Sequence, residues 1–309
     1  MNGLLHKVEK AERVDESFYF DTKTPYHLFL QLDGSYFRAV AYSNTREKYV
    51  MQAEFSYDQA NDTLKEIFEK TDFLKRAYTK VRCIVTTPAQ TLIPVVEGLS
   101  IDPETALGFN VNLSFDQQIF TNALASIDAV MAFAVHKELV SIVTNRFPQV
   151  EFIHAAASTI SYGLELAASN TQAAMYIVLH EGLLEICLIE NNKLKLYNTF
   201  AFQTPEDLVY YPLFIAEQFK LSTDQLHVNL AGNIARETPA FDILQKYFAN
   251  VQIAPLDKRS KYAVRMEEEQ VYPSFLTLSP NPGVCLNTGY SIPVILPFES
   301  IPIKAVIDP

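Results

Sequence analysis

Two stretches of this chain, residues 26–85 and 173–232, carry the same succession of elements in the same order: strand, strand, strand, helix, strand. In the first, "YHLFLQL", "YFRAVAY" and "KYVMQAEFSY" have strand patterning, with "NTRE" as the turn between the last two. "DQANDTLKEIFEKTDFLKRAY" follows as a helix with Asp58 at its cap and Leu64, Ile67, Phe68 and Leu74 on its apolar side. "KVRCIVTTP" is then a buried strand stopped by Pro88. In the second stretch "AAMYIVLH", "LLEICLIE" and "LKLYNTFAF" are the strands and "NNK" a turn. "TPEDLVYYPLFIAEQF" is a helix with Thr204 as cap, Pro205 at its first position, acids in its first turn and Pro212 as a kink. "LHVNLAG" closes the unit. The two copies are nearly equal in length and share little residue identity, so order and spacing carry the repeat. A pattern of this kind predicts a duplicated α/β fold with two related lobes.

Between the copies lie "TLIPVVEG", an acidic turn "SIDPET" and "FNVNLSFDQQIFTNAL". A strand-helix-strand-helix run follows: "DAVMAFAVH", "KELVSIVTNRF", "VEFI" and the Ala-rich "HAAASTISYGLELAA". "FDILQKYFANVQI" adds a helix and a strand, and the regular pattern ends near Pro255. The expected divisions are a flexible polar leader (1–25), a first lobe (26–160), a second lobe (161–255) and a Pro-rich C-terminal segment (256–309). Residues 270–309 hold seven of the 16 prolines, a density that excludes helix and central strand. Their apolar runs "YSIPVILPF" and "IPIKAVI" predict docking on the protein's own body or on a partner.

With 309 residues and a formal net charge of −11, the chain is a poor match for nucleic acid or an anionic membrane surface, both of which need clustered cations. The local basic run "DKRSKYAVR" (257–265) reads as a solvated loop. Cys83, Cys187 and Cys285 are far apart and sit in apolar runs, as buried reduced thiols do. No apolar run is long enough for a bilayer span, and the N-terminus has no apolar segment of signal-peptide length, so a cytoplasmic protein without integral membrane association is expected. The nine glycines form neither GxGxxG nor GxxxxGK, which removes the common phosphate-cradling loops.

The duplicated meander-helix-strand unit resembles the actin-like ATPase (ribonuclease H-like) fold, whose members include Hsp70, sugar kinases, the division protein FtsA and the pilus-assembly protein PilM. "LFLQLDGSYFRAVAY" resembles the first phosphate hairpin of that fold, "MYIVLHEGLLEICLIENNKL" the second, and "LHVNLAGNIARETPAFDILQKYF" the adenosine loop. "TLIPVVEG" with "AVMAFAVHKELVSIVTNRFPQVEFIHAAASTI" is similar to a bacterial family catalogued as domain of unknown function 3822.

That resemblance implies a nucleotide cleft, and the residues present depart from what hydrolysis needs. Such a cleft requires acids on both hairpins for hydrated Mg²⁺ and the attacking water, with glycine or hydroxyl residues in the same turns. Aligned on "RAV", the expected Asp falls on Gln31 and the expected Gly on Asp33. Asp33 would place a negative charge against phosphate. Sliding by two residues restores the acid at Asp33 but leaves Ser35, after Gly34, where Gly belongs. On the second hairpin His180, Glu181 and Gly182 stand where Asp-x-Gly is expected, and Leu183 and Leu184 put apolar bulk near the phosphate. The adenosine loop keeps Gly232, while Asn233 replaces its second glycine and, tolerating φ > 0, could preserve the turn. Gln31, Asp33, Gly34, Ser35, His180, Glu181, Gly182, Gly232 and Asn233 are therefore the cleft-lining candidates, with no catalytic residue and no metal ligand among them.

The histidines show no paired spacing for a metal; His154, beginning a helix, and His136, ending a strand, read as capping or packing groups. Glu165, and Glu181 with Glu185, read as surface acids, and "VYYPLF" (209–214) as core. The expected function is a non-catalytic intracellular binding or scaffold protein with a degenerate nucleotide cleft and a protein partner. One alternative is an ATP-binding regulator without efficient hydrolysis. Another is an enzyme of unrelated chemistry with Asp33 and Glu181 facing each other.

Overall fold

Strand patterning with both faces apolar is the mark of sheets covered on two sides, and the computed structural model contains two such sheets. It describes residues 11–15, 18, 25–33, 36–57, 63–97, 100–168, 172–254 and 261–262. The expectations for Gly34, Ser35, the Asp58 cap, Cys285, most of the basic run and the Pro-rich segment lie outside these residues.

The first sheet is built from β1 (Ala11–Val14), β2 (Tyr26–Asp33), β3 (Tyr36–Ser43), β4 (Lys48–Ser56), β5 (Lys80–Val85) and β9 (Glu151–His154), in the order β1-β4-β3-β2-β5-β9. A two-residue strand, β15 (Lys261–Tyr262), pairs parallel to β4. The second sheet contains β10 (Ala174–Leu179), β11 (Leu183–Glu190), β12 (Lys193–Ala201), β13 (His227–Gly232) and β14 (Asn250–Ile253), in the order β12-β11-β10-β13-β14. Strand for strand, β4-β3-β2-β5-β9 and β12-β11-β10-β13-β14 agree in order and in sense. The three meander strands are antiparallel, and the next two run parallel to the first of them. The repeat visible in the sequence is thus a repeat of topology.

Helices fill the crossovers. α1 (Thr63–Lys70) and a 3₁₀ turn (Asp72–Lys75) lie between β4 and β5. α3 (Lys137–Arg146) and α4 (Ala156–Ala167) flank β9, and α5 (Asp207–Gln218) and α6 (Pro239–Gln245) flank β13. α5 starts later than the sequence predicts, at Asp207 with Glu206 in the N-cap position, so Thr204 is not its cap residue. Thr204 and Asp207 instead form a reciprocal pair at its approach, the Asp207 carboxylate accepting from the Gln203 and Thr204 N–H groups and Thr204 Oγ1 accepting from Asp207 N. α4 is small-residue-rich because it lies close against the second sheet. A Cβ on Gly163 would come within 2.6 Å of Ile189 Cδ1 and 3.1 Å of the Tyr176 ring. One core cluster runs from Leu28, Phe37 and Cys83 of the first sheet through Ala156 and Ile160 to Tyr176, Cys187 and Tyr197 of the second.

Between β5 and β9 an insert forms its own sheet, β6 (Gln90–Pro94), β8 (Ala129–His136) and β7 (Gln117–Leu124), in the order β6-β8-β7. One face joins the main core through Met131 and Phe133. The other, through Ile93, Val130 and Ala132, is covered by α2 (Pro103–Gly108). The "SIDPET" segment is therefore not a plain turn: Asp102 accepts from the Thr105 N–H at 2.8 Å, and Pro103 opens a short helix. Part of the expected leader is ordered on the body as well. β1 pairs antiparallel with β4, and Phe18 is fully buried beneath the Arg76 guanidinium. In "VYYPLF", Val209 and Pro212 are core, whereas Tyr210 is 54% exposed.

Candidate functional site: a buried ion-pair network between the two sheets

In open α/β sheets, ligand clefts form beyond the carboxyl ends of parallel strands. Here those ends are β2 and β5 in one sheet and β10 and β13 in the other, each beside a hairpin turn. The side chains that meet there are charged, buried and bonded to one another.

Cross-strand register sets the first half of the site. Gln31 on β2, Arg38 on β3 and Glu54 on β4 are direct partners across the strands, so they share a face, and Asp33, two residues beyond Gln31, shares it too. Arg38 donates through Nε to Glu54 Oε1 at 2.5 Å and through Nη1 to Asp33 Oδ2 at 3.3 Å. All four residues are buried.

The second half comes from the other sheet. His180 follows β10 directly, and its Nδ1 donates to Asp33 Oδ2 at 2.5 Å. Its Nε2 donates to Glu185 Oε1 at 2.6 Å. Both partners are carboxylates, so the ring is doubly protonated. Glu185 also accepts on Oε2 from Tyr197 at 2.8 Å and from Thr159 of α4 at 3.1 Å. Asn233, just past β13, accepts from Arg38 Nη2 at 2.5 Å.

The electrostatics follow from this pairing. Burial alone would push the His180 imidazole down, but Asp33 and Glu185 on its two sides outweigh burial and hold its pKa up at about 10. Burial would raise both carboxyls; His180 and Arg38 hold Asp33 below the usual carboxylate range, and His180 with the Tyr197 hydroxyl does the same for Glu185. His154 behaves oppositely: burial lowers its pKa despite the Glu185 charge. As a neutral ring it accepts on Nδ1 from Ala156 N at the start of α4 and donates through Nε2 to Thr87 O. That is the capping role expected of it.

The sequence candidates are placed as follows. Asp33, His180 and Asn233 are members of the network, and Gln31 is buried beside it. Glu181 is exposed at the hairpin tip, and Gly182 takes φ 73° to close that turn. Gly232 takes φ 87°, and a Cβ there would lie 2.2 Å from Leu179 O, so this glycine serves close strand pairing. Three expectations need correction. Asn233 is not at positive φ; it contributes its side chain instead. Glu185 is not a surface acid: it is fully buried in an apolar strand. Asp33 meets His180 rather than Glu181. Reading the sequence also missed Arg38, Glu54, Thr159 and Tyr197. The available signal was a charge inside an apolar strand, Arg38 in "YFRAVAY" and Glu185 in "LLEICLIE".

These side chains do not fit a magnesium–nucleotide. The groups facing each other across the cleft are in direct hydrogen-bond contact, both oxygens of Glu185 are engaged, and His180 bridges Asp33 and Glu185. Among the described residues no set of three or more His, Cys, Asp and Glu side chains is arranged to hold a metal ion. No described helix is long and apolar enough to cross a membrane.

The sequence profile of a family described as "Protein of unknown function (DUF3822)" matches residues 15–251. The chain belongs to this family. Among solved structures, this DUF3822 member is similar to a Bacteroides thetaiotaomicron protein with actin-like ATPase fold and unknown function. The TM-score is 0.70 and the identity 20%, over 82% of this chain and 96% of that one. It is also similar to the PilM–PilN type IV pilus biogenesis complex, with a TM-score of 0.55 and 11% identity over 81% of this chain and 96% of that one. The fold is therefore the actin-like ATPase fold. Among curated proteins no sequence matches the DUF3822 chain.

Proposed function

We propose that this protein is a non-catalytic binding or scaffold protein in which the nucleotide cleft of the actin-like fold has been replaced by an internal lock. The observation that carries the reading is the contact of Asp33 with His180 and of Arg38 with Asn233, which joins the two sheets where the fold would hold phosphate. A hydrolase needs a carboxylate with a free lone pair to orient water and a cation site to offset phosphate charge. Asp33 and Glu185 are instead bound to His180, and Arg38 is held by protein acceptors. Two buried cations set among three carboxyl groups satisfy one another and leave no charge to attract a triphosphate. A scaffold role suits this arrangement because a fixed inter-sheet angle presents a constant outer surface. PilM, of the same fold, is found in a complex with PilN. The test is phosphate release from Mg-ATP by the wild type and by Asp33→Asn. Release at the no-enzyme rate from both is expected; wild-type release above it, abolished by Asp33→Asn, would overturn the reading.

A further inference from the structure

The insert between β5 and β9 differs in surface chemistry from the rest of the molecule. From residue 83 to residue 136 the chain has no Lys or Arg, although the whole chain has 25. The same stretch carries five acids, Glu97, Asp102, Glu104, Asp116 and Asp128, and all five are exposed. It also carries two phenylalanines almost wholly in water: Phe109 is 83% exposed and Phe115 is 92% exposed. They stand at the two ends of the loop that leads from α2 into β7. A Phe side chain left in water forgoes the free energy of burial, and two on one small insert mark a surface that something covers.

The insert also offers a strand edge. β7 pairs with β8 on one side, and among the described residues no strand pairs with its other side. The opposite edge, β6, is five residues long and ends in Pro94, the usual means of blunting an edge; β7 has eight residues and no proline. The surface is held in place. Asn122 of β7 donates to Phe152 O and accepts from His154 N, and the Lys137 ammonium donates to Phe115 O.

We propose that this insert is a protein-docking surface whose occupant is an extended, positively charged segment of a partner protein. The segment adds to the open edge of β7 and covers Phe109 and Phe115 with its apolar side chains. Backbone pairing along β7 supplies register, the five exposed acids select cationic side chains, and the phenylalanines supply the apolar anchor. Nucleic acid and anionic membrane are excluded by the sign of the charge. The inference deepens the binding-protein reading, from which it takes only the premise that the chain works through a protein partner. The peptide and nucleotide measurements are separate, so either can fail alone.

The test is fluorescence anisotropy of the full chain with two labelled 12-residue peptides, one alternating Lys and Val, the other alternating Glu and Val. The Lys peptide is expected to bind and the Glu peptide not. Phe109→Ser with Phe115→Ser, both at exposed positions, is expected to weaken the Lys peptide tenfold or more. Glu217→Gln with Glu237→Gln, a charge-changing control at exposed positions of the second half, is expected to leave it unchanged. Equal binding of both peptides, wild-type affinity in the Phe variant, or an equal loss in the control would each overturn the proposal.

Discussion

His180 reaches a carboxylate with each ring nitrogen, Asp33 with Nδ1 and Glu185 with Nε2. It is the one cation between Asp33 and Glu185, and replacing it by Gln leaves two carboxylates buried without it. Removing one partner of a buried ion pair costs about 3–5 kcal/mol; a loss of that size in chemical denaturation is expected for His180→Gln. The pH dependence follows from the same pairing. His180 has a raised pKa of about 10 against 6.5 for the unfolded side chain, so its contribution is complete below pH 6.5 and is lost as pH rises towards 10. His154 is depressed below 6.5, so its contribution is present above that pH and is lost on acidification; the depressed carboxyls of Asp33 and Glu185 extend the loss to lower pH. The two limbs meet near pH 6.5. Thermal unfolding midpoints are expected to peak between about pH 6 and 7, and in His180→Gln the fall between about pH 7 and 9 should disappear. An unchanged alkaline limb in that variant would show that His180 is not the charged group described.

At the scale of elements, glycines separate the tight contacts from the loose ones. A Cβ at Gly232 would strike Leu179 backbone atoms at 2.2 to 2.9 Å, in a residue already at φ 87°, and backbone cannot move aside. At Gly163 the obstacle is the end of the Ile189 side chain at 2.6 Å, which can rotate, while at Gly108 there is nothing within 4 Å. Gly232→Ala is therefore expected to cost more than about 3 kcal/mol or prevent folding. Gly163→Ala should cost about 1–2 kcal/mol, overpacking being partly offset by helix propensity. Gly108→Ala should be close to neutral; urea denaturation ranks the three. The elements themselves were largely legible in the sequence, because the strands of the two main sheets are mostly apolar or alternating runs and the longer helices carry an apolar period. What escaped was short or long-range. α2 is six residues, below the length at which periodicity speaks. The pairs Asp33–His180 and Arg38–Asn233 span 147 and 195 residues, so no local pattern joins them. Glu185 and Arg38 announced themselves as charges in buried strands, but their partners could not be read from spacing.

At the scale of the whole molecule, two sheets with a five-strand topology in common share one core through α4 and one ion-pair network at their facing ends. A nucleotide-cycling protein of this architecture must let its lobes part to admit ligand. Parting these would break Asp33–His180 and Arg38–Asn233 together and expose buried charges without partners. In the proposed binding role the two sheets stay joined by these contacts while the molecule presents the acidic, Phe-bearing insert. The measurement that tests this account most directly is calorimetric titration of the purified chain with Mg-ATP. No heat of binding at millimolar nucleotide is the predicted result. Saturable binding at micromolar concentration would mean that the network opens to admit phosphate and that the cleft is a working nucleotide site.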